Sequence, residues 1–481
     1  MASVQNAPVD RLQRSLAGFA CGVSLSLTPQ ITRGAKVALM DTLAVALGAL
    51  RHPAALAARR YARISAVPSG ATVWGSGTLV TAECAALVNG VPLRGYDYND
   101  LYSNKAGGHP SDMIPGLIAL AEWRKLSGSR LLEAIALGYD ITVNLFDTLD
   151  NHGGGWDYPT TVMVGTTCAA ARLLGLSEAT TREALAIAVT PHFASLEAES
   201  SELNSRGDLT LWKRFNGSDA TRQAVYACLL AECGVEGVVR PFEGKHGFLK
   251  KYGSGVVDLD ALFQRLDAGL LRGNINSVVF KRWPVGSRGQ SAIQAALEAR
   301  GSIDNVEQIK FIKIFCDDAA YDHLVRSRED PWQPNSRETA DHSLPYIVAT
   351  AVLDGFVRVE SFDLERVLDA KRRQFLIDKV TAEPCAELAG GAKKGFLARV
   401  EIVDAKGQLH IGAAMAPPGH PNQPFSDAEF EQKLVENVAP LFGEKRANEI
   451  IQAVWSIETM HDLGQLTRLC VLQQPDSIDL E

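Results

Sequence analysis

None of the eight cysteines of this 481-residue sequence forms a CxxC pair, and most stand in apolar helical surroundings. That argues against a disulfide frame or a cysteine-held metal and fits reduced, buried thiols. There is no HExxH and no histidine pair at metal spacing, so neither zinc nor an iron–sulfur cluster is expected. No GxGxxG follows a strand and no GxxxxGK[ST] occurs, which leaves nucleotide binding without a motif. The Gly-X-Ser sequences near 70–77 and 253–255 lack the strand-to-helix setting of a nucleophile elbow. Basic residues (48) are outnumbered by acidic ones (56), and a net charge of −8 offers no field for nucleic acid. Runs of about 18 apolar residues are missing, so no membrane span is expected. The first twenty residues lack the basic n-region and apolar core of a signal peptide, and the expected location is cytoplasmic. What these absences leave is metal-free acid–base chemistry by His, Asp, Lys and Tyr, with no cofactor.

What is present centres on residues 95–115, GYDYNDLYSNKAGGHPSDMIP. Asp97, Asn99, Asp100, Tyr102, Lys105, His109 and Asp112 crowd together without a period of 3.6 or 2, and Gly107, Gly108 and Pro110 interrupt them. Apolar helical patterns flank the stretch at 82–91 and 114–126. A polar, titratable loop on a helical scaffold is where binding and catalysis are usually placed. Asp112 taken alone reads as a cap for the following helix.

From Asp10 to about residue 240 the pattern is almost wholly helical and rich in Ala, as a compact bundle of closely approaching helices requires. Thr28-Pro29 reads as a cap with Pro in the first turn of a helix that Gly48 closes. Residues 69–78 fit a short hairpin. Two further irregular stretches stand out, 151–161 (NHGGGWDYPTT) and the charged break at 197–215. Near residue 275 the texture changes: 306–315 alternates as a half-buried strand, and 398–403 and 408–411 flank a turn ending in Gly407. Helices are expected at 291–300, 342–353, 364–376, 427–441 and 445–460. The fold class is mainly α with α+β: an all-helical domain over 1–272, an α+β lid over 273–413, and C-terminal helices over 414–481 rejoining the first domain.

The segments DYND…GGHPSDMIPGLIALAEW, LLGLSEATTREALAIA, WKRFNGSDATRQAV, FKRWPVGSRGQSAIQAAL, SRETADHSLPYIVATAVLDG and PPGHPNQPFSDAEFEQKL resemble, in order, blocks of the MmgE/PrpD family. That family comprises the 2-methylcitrate dehydratases and relatives that include cis-aconitate decarboxylase and an iminodisuccinate epimerase. The resemblance implies a large helical domain with a smaller α+β lid, a homodimer, and an active site in the cleft between the domains. It carries over Asp97, with Asn99 and Asp100 following, His109 of HPSD, Lys213 before the GSDAT run, and Lys281. The chain departs from the family at Leu101, where a Thr is usual. It also lacks a His in the block beginning at Lys281, where Arg288 or a neighbour stands instead, and Tyr158 replaces a His in the Gly155–Pro159 loop.

Removing a proton next to a carboxylate builds charge on that carboxylate, so fixed cations must face it. Lys213 and Lys281, with Arg288, suit a di- or tricarboxylate. His109 suits proton transfer because its unperturbed pKa is near neutral. Asp97 either orients His109 or acts as the base. Tyr102, Tyr158 or protonated His109 would supply the acid. His342 approaches from the lid under the resemblance, while its own surroundings read as the start of a helix. The reading is a lyase dehydrating a 2-hydroxy tricarboxylate such as 2-methylcitrate. Decarboxylation of cis-aconitate and epimerisation of iminodisuccinate stand as alternatives, and a non-catalytic helical binding protein as one of another class.

Overall fold

The computed structural model describes residues 9–22, 27–150, 154–199, 204–205, 210–252, 257–301, 303, 305–414 and 416–474. Much of the charged break expected at 197–215, with Glu202, Arg206 and Asp208, lies outside the described residues, as do Asn151 to Gly153. The described chain is mainly helical, with an α+β portion toward its C-terminal side.

Thr28 has extended backbone and its hydroxyl accepts the Ile31 amide at 3.3 Å, so the helix Pro29–Gly48 starts at its sequence signal. Every residue from Gly34 to Leu47 on it is buried, Lys36, Asp41 and Thr42 included. A helix covered on all faces needs small neighbours. A Cβ on Gly165 would stand 2.0 Å from the Thr142 hydroxyl, so the helices Gly128–Thr148 and Pro159–Leu174 meet almost backbone to side chain. The main apolar core joins Ala35–Leu50 side chains to those of Phe425, Phe430, Leu434 and others up to Leu472. The C-terminal helices Asp427–Phe442 and Glu444–Trp455 therefore pack on the first helices of the chain.

A second core draws only on side chains between Trp283 and Ala414. The first hairpin of the chain is β1 (Ala66–Thr72) with β2 (Leu79–Val80), and a shorter one is β3 (Tyr102–Ser103) with β4 (Gly107–Gly108). The second core carries the larger sheet, β5 (Ile309–Cys316), β6 (Val380–Pro384), β7 (Ala398–Asp404) and β8 (Leu409–Ala414), in the order β6-β5-β7-β8. Strand β6 runs parallel to β5, and the other pairs are antiparallel. In β8 the alternate residues His410, Gly412 and Ala414 are buried. At Gly412 an added Cβ would lie 2.0 Å from the Ala295 carbonyl, so the helix Gln290–Arg300 lies directly on this strand.

Two local expectations change, and one strand was not expected. The pattern at 364–376 is two helices, Leu364–Val367 and Ala370–Lys379, because the Asp369 carboxylate accepts the Arg372 amide at 2.7 Å and starts a new one. Residues 380–384 form β6, which a short, half-exposed segment ending in Pro does not advertise. Asp112 is no cap: it sits in the 3-10 turn Pro110–Met113, and its carboxylate accepts the Tyr158 hydroxyl at 2.8 Å.

Candidate active site

A backbone pair straps two distant segments together. Leu101 and Val279 exchange N–H···O bonds of 2.8 and 2.7 Å, which lays the segment carrying Lys281 against the segment carrying Asp97. The Lys281 ammonium consequently donates to the Asp97 carbonyl at 2.6 Å and pairs with Asp97 Oδ2 at 3.0 Å. Two of its three N–H bonds are so engaged, which leaves one for the cavity it lines.

Asp97 holds φ at 48°, a left-handed conformation that Asp tolerates better than bulkier residues and that turns its carboxylate toward several cations at once. Arg94 is 3.1 Å from Oδ1, and His342 Nε2 is 3.8 Å from Oδ2. Burial by itself would raise the Asp97 carboxyl. Lys281 and Arg94 outweigh it and hold the group well below the usual range, hence ionised.

The β3–β4 hairpin returns the chain so that His109 comes back beside Asp100. The His109 Nδ1–H donates to the Asp100 carbonyl, which fixes the tautomer, since a carbonyl only accepts. Nε2 is left with its lone pair. Burial first, then the positive charges of Arg94 and Lys281, keep the imidazole well below its ordinary pKa, so it is neutral. Gly108 is required here: a Cβ on it would stand 2.3 Å from the Tyr158 ring, which packs edge-on to His109 at 5.1 Å. The Asp100 carboxylate accepts the Ser111 amide at 3.2 Å and the Tyr139 hydroxyl at 2.8 Å. Burial, partly offset by those bonds, raises it to about 7.

A cavity of about 540 Å³ opens between the two cores. Of the ten residues singled out from the sequence, it is lined by Asp97, His109, Tyr158, Lys213, Lys281, Arg288 and His342. Three others stand outside the lining. Asn99 and Asp100 are fully buried behind it: Asn99 accepts from Arg94 at 2.7 Å and donates to Ser111 at 2.9 Å. Tyr102 turns its hydroxyl to Asp147 at 2.6 Å. The partner of His109 Nδ1 is the Asp100 backbone, and not the Asp97 carboxylate expected as one option. Tyr158 lines the cavity, and its hydroxyl donates to Asp112. His342 does not cap its helix; Ser343 does, accepting the Tyr346 amide at 3.1 Å. The His342 Nδ1 lies 2.5 Å from Asp341 Oδ1, and burial raises the Asp341 carboxyl to about 6.

Sequence reasoning missed Arg94, His323, Arg328 and Asp341. Arg94 directly precedes the polar stretch, and Asp341 directly precedes His342, so adjacency was the available signal. His323 and Arg328 had none, because only the turn of the chain after β5 brings them to the cavity. Among the described residues, no group of three or more His, Cys, Asp or Glu is placed to hold a metal ion. No helix among them is long and apolar enough to cross a membrane.

Two family models match the chain. Residues 14–258 match the MmgE/PrpD N-terminal domain and residues 283–458 the MmgE/PrpD C-terminal domain. Cis-aconitate decarboxylase of Homo sapiens is 25% identical over 472 residues, covering 94% of this chain and 92% of its own. The 2-methylcitrate dehydratase of Escherichia coli K12 is 25% identical over 374 residues, 71% of each chain. An alkylcitrate dehydratase of Talaromyces stipitatus is 22% identical over 482 residues, covering 93% and 94%. Of these three similar proteins, two are named for removing water and one for removing carbon dioxide.

Proposed function

The chain belongs to the MmgE/PrpD family, and on that premise we propose that it is a lyase dehydrating a 2-hydroxy tricarboxylate such as 2-methylcitrate. One observation carries the reading: a neutral His109 with Nε2 unprotonated lines a cavity beside Lys281 and Arg94. A neutral imidazole is a base, and the cations beside it suit the carboxylate on which charge grows.

In this mechanism Nε2 takes the proton from the carbon next to the held carboxylate. The electron pair of that C–H bond becomes the new C=C bond, and the C–O bond breaks with its pair. The leaving hydroxyl takes the proton back from Nε2 and departs as water. The tyrosine hydroxyls are committed to Asp112 and Asp147, which supports one imidazole acting in both directions. Hydrogen and hydroxyl then leave from the same face. The reaction uses side chains alone, so turnover should survive exhaustive EDTA treatment.

Decarboxylation of cis-aconitate is the second reading, favoured by the near full-length similarity to the human decarboxylase. It requires His109 to begin as the imidazolium and to deliver a proton to carbon. Incubation with 2-methylcitrate, cis-aconitate and iminodisuccinate in turn, followed by NMR, separates dehydration, decarboxylation and epimerisation. Turnover of none of them would favour a binding protein that keeps the fold. We also infer a cytoplasmic homodimer, for which light scattering should give twice the chain mass of 51.9 kDa.

A further inference from the structure

Two groups stand out among the cations that line the cavity. Arg94 and Lys281 act most strongly on His109 and are both tied to Asp97. Arg288, Arg328 and Lys213 stand on the far wall, around His323 and His342, whose rings meet edge-on at 5.9 Å. Arg328 brackets His323: its Nε donates to the His323 carbonyl at 2.9 Å, and a terminal nitrogen lies 3.3 Å from Nε2. Burial and then the charge of Arg288 push His323 down to about 2, so this imidazole is neutral and adds no charge of its own.

Arg288 is the informative member. It lines the cavity, and its buried Nε has no hydrogen-bond partner among the described residues. Its guanidinium packs 5.3 Å from the centroid of Phe396, another lining residue, held at φ 53°. A bulky residue in that left-handed region is strained, and such strain gathers at functional sites. Burial and then the like charge of Arg328 act against the Arg288 cation, and the carboxylates of Asp317 and Asp322 offset them only in part. Arg328 lines the same cavity, and the planar guanidinium fork of each arginine suits a carboxylate.

We propose that Arg288 and Arg328, oriented by Phe396 and His323, form a second carboxylate subsite. It takes the carboxylate of the substrate farthest from the reacting carbon. The subsite deepens the lyase reading and rests on it for the identity of the ligand, but its own test is binding and not turnover.

Tricarballylate carries three carboxylates and neither a hydroxyl nor a double bond, so it reports binding alone. In titration calorimetry Arg288→Gln and Arg328→Gln should each weaken its binding about tenfold or more. Arg288→Lys, which keeps the charge without the planar fork, should recover part of the loss. Lys281→Gln should also weaken it, and in the Lys281→Gln/Arg288→Gln pair the two losses should multiply, as expected for two separate contacts. Binding within twofold of wild type in both arginine variants overturns the subsite. So does a double variant no weaker than either single one, which would mean one shared carboxylate. If Arg288→Gln fails to fold, Arg328→Gln decides. Tricarballylate binding that obeys this pattern in a protein turning over no tricarboxylate leaves the subsite standing and removes the lyase reading.

Discussion

Lys433 and Asp41 form an ion pair of 2.6 Å with both side chains about 1% exposed. The same ammonium donates to the carbonyls of Lys281 at 2.8 Å and Tyr98 at 3.2 Å. One lysine on a C-terminal helix thus fastens the central helix to the two segments that carry Lys281 and Asp97. Replacing it with Met leaves Asp41 in the core without its cation. Lys433→Met should cost about 3–5 kcal/mol in urea denaturation, and Lys433→Met/Asp41→Leu should recover most of that. An unchanged midpoint in the single variant would contradict the pairing.

His109 and Tyr158 line the same cavity but should fail in different ways. His109→Gln should lower kcat by about 100- to 10,000-fold with a modest change in KM. Tyr158→Phe removes a hydroxyl that faces Asp112, so it should cost about 0.5–2 kcal/mol of stability and leave kcat within a few-fold. A kcat loss in Tyr158→Phe as large as that of His109→Gln would make the tyrosine the acid.

Asp100 gives a pH test. Its carboxyl is raised to about 7 in the folded chain against 3.8 when unfolded. The stability linked to it is therefore fully present below about pH 4 and is lost as pH rises through about 7. Asn at this position escapes that loss. The stability of Asp100→Asn relative to wild type should rise by about 1–3 kcal/mol between pH 5 and pH 8. A difference that stays flat over this range would show the carboxyl ionised throughout.

Asp97→Asn keeps a side chain suited to left-handed backbone and removes the charge that Lys281 faces. Burial already lowers the Lys281 ammonium, and Asp97 is the main group opposing that. The variant should therefore show a KM that climbs with pH as Lys281 loses its proton, with kcat less affected than in His109→Gln. Initial-rate kinetics across pH 6 to 9 would decide, and a KM independent of pH would count against the role given to this pair.

Much of this arrangement was legible where a local signal and the tertiary outcome coincide. The Thr28-Pro29 cap, the hairpin at 398–414 and the clustering of polar groups at 95–115 are written in turn chemistry and periodicity, and the chain obeys them. Asp112 was misread because a carboxylate just before a helix looks like a cap whether or not it is buried. What decided its role was Tyr158, 46 residues away. His342 was obscured in the same way by Ser343, which takes the helix-start role its neighbour was expected to fill. Arg328 and His323 lie in a segment of ordinary composition, and nothing short of the packing of the second core brings them to the cavity.

The Leu101–Val279 strap has a consequence for inheritance. His109, Asp97, Asp100 and Arg94 lie on one side of it in sequence, while Arg288, His323, Arg328 and Phe396 lie on the other, within or beside a core that closes on itself. Recombination or drift confined to residues 283–414 can therefore reshape the far wall of the cavity while the imidazole, its tautomer and its neighbouring carboxylate are transmitted unaltered. A lineage built this way has a cheap route to new substrates and a dear one to new chemistry. Chimeras joined on the C-terminal side of Lys281 are the natural place to see that asymmetry.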